Sequence, residues 1–239
     1  MKKAIQLYLE RHGFERFEPK AVLFDMDGVL YDSMPNHAIA WQRSMTSFDI
    51  HMTAHDAYAT EGARGIDTIR NMVKEQQGRD ISLDEAQKMY DVKTHEFHLL
   101  PEAPVMTGVK ELMQLMKEDG LTIGVVTGSG QRPLINRLLV DFGDYLDEKH
   151  ITTASDVSRG KPAADPYLMG MKKCNDCEPW ETVVVENAPL GVQAGAASQA
   201  LTIAVNTGPL PDNVLLESGA DLLFKKMTDL RDAWREICL

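Results

Sequence analysis

The sequence is short of the features that place a protein outside the cell or on a charged polymer. Three cysteines in 239 residues are too few and too scattered for a disulfide framework. Two of them form Cys174-x-x-Cys177, and with no second pair nearby neither a zinc site nor a redox pair is expected. No apolar run approaches the roughly 20 residues of a membrane span, and no signal-peptide pattern opens the chain. Positive charge is scarce: 25 Lys and Arg face 36 Asp and Glu, a formal net charge of −11. That balance argues against nucleic acid and anionic membrane as partners. Internal repeats and low-complexity tracts are absent. The expectation is a cytoplasmic, reduced, soluble protein, a monomer or a weak homo-oligomer, long enough to bury a substantial core. An acidic chain can still bind phosphate, through a local cluster of cations or a metal.

The most informative stretch is Lys20-Ala-Val-Leu-Phe-Asp-Met-Asp-Gly-Val-Leu-Tyr-Asp-Ser33. Ala21 to Phe24 reads as a short buried strand. It runs into Asp25, Asp27 and Gly28. Two carboxylates cannot stay buried in a strand unpaired, because a charge out of water must be neutralised, paired or metal-bound. They belong at the strand's carboxyl end, where open α/β sheets place ligands. A divalent cation between them would make this a site for phosphoryl chemistry. An isolated Asp-x-Asp-Gly is also an ordinary turn, so the weight rests on the polar groups that close the later strands.

Residues 1–19 read as a short amphipathic helix, an extension leading into the first strand. From Met34 to about Ala103 the chain is helix-patterned and poor in strand-like runs. Helices are expected from His37, over Asp67 to Gln77 and over Leu83 to Leu100, with Pro101 and Pro104 closing the region. This is an inserted helical segment, 34–104, hinged around Ser33 and Pro104. The remainder, 20–33 with 105–239, alternates helices with apolar strands at Leu121 to Val126, Ile151 to Thr153, Thr182 to Val185 and Leu201 to Val205, and a weaker one near Asp221 to Phe224. Strands separated by helices of this length imply a Rossmann-like α/β fold, a parallel doubly wound sheet with an inserted helical domain.

Polar groups gather at the strand ends. Asp25 and Asp27 follow the first strand; Thr127, Gly128 and Ser129 follow the second. Lys161 lies in Arg159-Gly-Lys-Pro162, and Glu186-Asn187 closes a later strand. Phosphoryl transfer needs a nucleophile, a proton donor for the leaving group, donors for the phosphoryl oxygens and compensating positive charge. A hydroxyl flanked by glycines lets backbone N–H groups approach an oxyanion, and a lysine supplies a point charge. Strand-end oxygen ligands suit Mg²⁺.

Asp25-Met-Asp27-Gly-Val, Thr127-Gly-Ser, Gly160-Lys161-Pro and Glu186-Asn187-Ala-Pro-Leu-Gly191 resemble, in order, the four motifs of the haloacid dehalogenase (HAD) superfamily. The insertion after the first motif resembles the helical cap of its β-phosphoglucomutase-like subgroup. The resemblance implies that Asp25 attacks phosphorus to form an aspartyl-phosphate and that Asp27 is the general acid and base. It implies that Asp25, the Asp27 carbonyl and Asn187 hold Mg²⁺, and that Thr127 and Lys161 bind the transferring group, with Gly128 and Ser129 beside them. The acid at Asp27 argues against dehalogenation, which needs no leaving-group proton.

Two departures from the family pattern point to the substrate. Asn187 stands where a second acid is usual, which removes a charge from the metal site. Glu61, in Thr60-Glu61-Gly62-Ala-Arg64-Gly, stands in the cap loop where the mutase has a basic residue. Glu61 is therefore expected as a metal ligand supplied by the cap over a small anion. Stretches such as Phe24-Asp-Met-Asp-Gly-Val-Leu30 and Ile203-Ala-Val-Asn-Thr-Gly-Pro-Leu210 are similar to a HAD-type inorganic pyrophosphatase. Hydrolysis of pyrophosphate is the first expectation. A phosphatase or mutase for a small sugar phosphate is the alternative, and a non-catalytic phosphate sensor the second. His37 and Arg64 are candidate contacts to the leaving phosphate, and Glu186 a candidate for orienting metal-bound water. His95 and His98 lack the zinc-protease spacing and are expected on the cap surface. Asp156 and Asp165 are candidates for orienting Lys161 or plain loop residues.

Overall fold

The computed structural model describes residues 1–237. Its elements in chain order are α1 (Lys2–His12), β1 (Ala21–Phe24), α2 (Met34–Thr46), α3 (Ala54–Ala59), α4 (Gly65–Gln77), α5 (Leu83–His98), α6 (Val109–Glu118), β2 (Thr122–Val126) and α7 (Arg132–Phe142). Then come β3 (Ile151–Thr152), α8 (Asp165–Lys173), β4 (Thr182–Glu186), α9 (Pro189–Ala197), β5 (Leu201–Val205), α10 (Asp212–Glu217), β6 (Leu222–Phe224) and α11 (Met227–Ile237).

All neighbouring strands pair in parallel, in the order β3-β2-β1-β4-β5-β6. The sheet is covered on both faces, so its central strands read as unbroken apolar runs rather than as alternation. The period of two survives in where the side chains go. Val22 and Phe24 face a layer holding Leu112 and Met116 of α6, Phe142 of α7 and Trp234 of α11. Ala21 and Leu23 face Tyr167 and Met171 of α8 and Ala194 of α9. The chain winds outward through β2 and β3, then returns to β4 on the other side of β1. That reversal puts the topological switch point, where such sheets bind ligands, between β1 and β4.

Helices α2–α5 leave the sheet between β1 and α6 and close an apolar cluster of their own around Trp41, Met45, Ile69, Val73 and Met89. Helix α3 lies inside a stretch with no expected element. It has a reciprocal capping box, Thr53 with Asp56, but its six residues are too few to display a helical period. Helix α1 stops at His12, where Gly13 takes a left-handed φ of 70°, and residues 14–20 run on as an irregular lead into β1; the expected helices of 34–104 and the strands fall within a few residues of their expected bounds.

Helix α1 seals the opposite end of the sheet. Buried Tyr8 donates its hydroxyl to the carbonyls of Gln199 (3.0 Å) and Pro179 (3.2 Å), and Arg11 pairs with Asp221 at 2.9 Å. Those partners lie just ahead of β5, β4 and β6.

Candidate active site

Backbone pairing fixes the two loops at the switch point. The Asp25 N–H donates to the Val185 carbonyl (3.0 Å), and the Gly28 N–H closes a tight turn onto Tyr31 (2.8 Å). Gly28 has a φ of +80°, and a Cβ there would lie 2.0 Å from Asn187 Nδ2. Only glycine lets the loop after β1 meet the loop after β4. On the other flank the Thr127 N–H continues the pairing onto Thr152 (2.9 Å), and Thr127 Oγ1 accepts from the Ser129 N–H at 3.0 Å.

Buried charges meet beneath these loops. Lys161 Nζ donates to Asp25 Oδ1 (2.5 Å), Glu186 Oε1 (2.6 Å) and the Val126 carbonyl (3.2 Å). Tyr167 also donates to Glu186 Oε1, at 2.6 Å, and the Asn187 N–H donates to Glu186 Oε2 at 3.1 Å. Both Glu186 oxygens are thus engaged by protein. Burial works against the Lys161 charge, but Asp25 and Glu186 outweigh it and drive its pKa up. Burial pushes Asp25 up to about 7 even though Lys161 opposes the shift. A buried ammonium between two carboxylates satisfies what a buried charge requires.

The second half of the site comes from the helical layer. His37 Nε2 lies 3.1 Å from Asp27 Oδ1, Ser33 Oγ donates to the same oxygen at 2.5 Å, and Lys93 Nζ lies 2.7 Å from His37 Nδ1. An ammonium only donates, so Nδ1 accepts and Nε2–H is turned toward Asp27. Burial, then the Lys93 charge, lower the His37 pKa. Burial alone would raise Asp27, but His37 and Ser33 bring it to about 2. Lys93 is 4% exposed, and its ammonium lies 5.1 to 5.9 Å from the ring centroids of Phe97, Trp41 and Tyr90. Burial lowers its pKa to about 8 against the pull of Glu61 and Asp27. Half-buried Glu61 has its carboxyl raised by burial, then by Asp27 and Asp25. Asp25, Asp27, His37, Glu61, Lys93 and Ser129 all line one cleft of about 80 Å³.

The arrangement brings together most of the residues singled out from sequence and separates a few. Gly128 and Ser129 line the cleft, and Arg64 does not; its guanidinium turns back to Asp67 at 2.7 Å. Asp156 pairs with Lys173 and Asp165 with Arg159, at 2.8 and 2.9 Å, so neither orients Lys161. His95 is exposed, and exposed His98 reaches the cleft rim. Lys93 and Tyr90 join the site without having been expected there. Their signal is the apolar stripe Ala86, Met89, Tyr90 of α5, on which Lys93 falls at helical spacing. A lysine on a buried stripe is rarely left there unless paired.

Among the described residues no group of three or more His, Cys, Asp or Glu is gathered into a metal site. The donors present nevertheless fit a hard cation. Asn187 Oδ1 is buried with no hydrogen-bond partner, across from the Gly28 turn that carries the Asp27 carbonyl. A carboxylate, a backbone carbonyl and an amide oxygen are the ligand types Mg²⁺ accepts.

The chain resembles several known proteins. The chain is 31% identical over 187 residues to hexitol phosphatase A of Escherichia coli (strain K12), an overlap of 78% of this chain and 83% of that protein. It is 26% identical over 221 residues to β-phosphoglucomutase of Bacillus subtilis (strain 168), covering 88% and 91% of the two chains. A solved Bacteroides vulgatus protein provisionally named a β-phosphoglucomutase is 47% identical, with a TM-score of 0.93 over 98% of this chain and 95% of that one. The haloacid dehalogenase-like hydrolase family matches residues 22–205, which takes in Asp25, Asp27, Thr127, Lys161 and Asn187, and the chain belongs to that family.

Proposed function

We propose that the chain is a Mg²⁺-dependent phosphohydrolase working through an aspartyl-phosphate on Asp25. The observation that carries this is Asp25 at the switch point, buried and held by Lys161 at 2.5 Å, with Asp27 on the next turn. Asp25 attacks phosphorus and the bond to the leaving oxygen breaks. Thr127 and Lys161 hold the transferring group. Asp27 hands a proton to the leaving oxygen, then takes one from the water that opens the acyl phosphate. In its ionised form here Asp27 is ready for the second task; for the first it takes up a proton as the anionic substrate settles beside it, since a neighbouring like charge raises a carboxyl pKa. Asp25, the Asp27 carbonyl and Asn187 would hold Mg²⁺, which supplies charge neutralisation for the phosphoryl oxygens. Residues 34–104 act as a cap on the core of 20–33 and 105–239, and choose the substrate.

Two substrate classes compete. Hexitol phosphatase A and β-phosphoglucomutase, by name, favour a small phosphorylated sugar, and that is the better supported class. Pyrophosphate is the second reading, favoured by Glu61. Its carboxyl faces Asp25 and Asp27, where it would repel a sugar's second phosphate yet can reach a bound Mg²⁺. The cleft of about 80 Å³ is far below the roughly 300 Å³ at which ordinary ligand pockets begin.

The test is phosphate release with Mg²⁺ near neutral pH, comparing pyrophosphate, glucose phosphates, other phosphomonoesters and nucleotides. A sugar phosphate ahead by about a hundredfold in kcat/KM, some 2.7 kcal/mol at the transition state, establishes the first reading. The reverse ranking, together with a raised Mg²⁺ requirement in Glu61→Ala, establishes the second. Turnover of none of them overturns the proposal.

A further inference from the structure

The loop between β5 and α10, Asn206 to Asp212, touches both halves of the site without lining it. It is stiffly built. The Asn206 amide donates across the loop to the Leu210 carbonyl (2.8 Å) and to Asp212 Oδ1 (2.6 Å), which Lys225 also holds at 2.5 Å. Pro209 and Pro211 fix two further φ angles. From this frame Thr207 Oγ1 donates to the Gly28 carbonyl at 2.7 Å, one residue beyond Asp27. The next residue, Gly208, is where the cap touches down. A Cβ at Gly208 would lie 2.8 Å from Tyr58 Cδ1 and 3.0 Å from Cε1, so the ring of Tyr58 rests on bare backbone. Tyr58 lies in the last turn of α3, three residues before Glu61, and the charges facing its hydroxyl are those of Asp32 and Glu61. A second contact lies beside it: Gly62 packs on the Gly191 N–H and on the Lys161 stem, with a Cβ there 3.4 and 3.5 Å away.

We infer that Asn206–Asp212 is the seat on which the cap closes, with Tyr58 landing on Gly208 and Thr207 tying the same loop to the turn that carries Asp27. Closure is then read at the aspartates through one rigid loop. Tyr58, Thr207 and Gly208 are positioning residues: they set how deep the Glu61 loop descends and where Asp27 stands, and none of them contacts the reacting atoms. The inference rests on the cap reading of residues 34–104 but not on either substrate.

Gly208→Ala is the first test, because Gly208 lies outside the left-handed region and alanine strains nothing but the Tyr58 contact. Holding the loop about 1 Å high is expected to lower kcat/KM by between about ten- and a hundredfold, with Tm unchanged. In a Tyr58→Ala background the same substitution is expected to cost nothing further, since the ring it displaces is gone. Thr207→Val is expected to lower kcat with little change in KM, and Thr207→Ser to restore it. Solution X-ray scattering gives a readout free of activity: Gly208→Ala has the larger radius of gyration. Equal radii, a kinetically silent Gly208→Ala, or a loss just as large without Tyr58 would each overturn the seat. An inactive wild type would instead overturn the phosphohydrolase reading, leaving the scattering comparison to decide this one.

Discussion

Burying an ammonium group costs free energy, and Lys93 is buried among three aromatic rings with its hydrogen bond spent on His37. Cation–π attraction and the facing carboxylates offset part of that cost, and the remainder appears as a pKa lowered to about 8. The charged form exists below that value. Activity that needs a cation in the cap is therefore expected to fall as pH rises through about 8. A kcat/KM profile of Lys93→Met checks this: the variant is slow throughout and lacks the alkaline limb. Asp25→Asn removes the nucleophile while keeping the shape of the side chain. It is expected to abolish turnover, read as phosphate release, while a circular dichroism melt still shows a folded protein.

At the scale of elements, the helical layer is held by its own core. Ile69 on α4 is fully buried in the cluster with Trp41 and Met89, so Ile69→Ala is expected to destabilise this layer by about 2–5 kcal/mol. Hydrogen exchange is the measurement, with amides of α2–α5 losing protection before those of β1 and β4. The contrast between layers also explains how much is legible in the sequence. Strands β1, β4 and β5 are legible because a sheet covered on both faces demands continuous apolar runs, and their ends are legible because polar residues cannot follow them inside. Helix α3 is not, being shorter than two helical turns. Lys93 escapes notice because it is one of several charges along α5, and only its spacing from Ala86, Met89 and Tyr90 sets it on the buried stripe. Arg64 is expected in the cleft because it sits beside Gly62 and Glu61, yet Asp67 in the first turn of α4, just ahead of which Arg64 stands, satisfies it first.

For the whole molecule, electrostatics and topology set the remaining expectations. The chain carries a formal net charge of −11, and in one cleft the Asp27 charge makes both Asp25 and Glu61 costlier to ionise. Mg²⁺ that binds only the folded state relieves this, and a hundredfold excess over its Kd is expected to add about 2.7 kcal/mol. Melting temperature should then rise with Mg²⁺ and return on chelation, with Asn187→Ala showing a smaller rise. The long-range contacts of α1 have a temporal side. Helix α1 emerges from the ribosome ahead of the sheet, yet Tyr8 must meet Gln199, 191 residues later, and Arg11 must meet Asp221, 210 residues later. Contacts that distant in sequence close late. During synthesis α1 therefore has no complete seat until Asp221, just ahead of β6, is out, and Arg16 and Lys20 behind it stay open to proteases for that interval. Docking of α1 thereby reports that β4, β5 and β6 have all arrived.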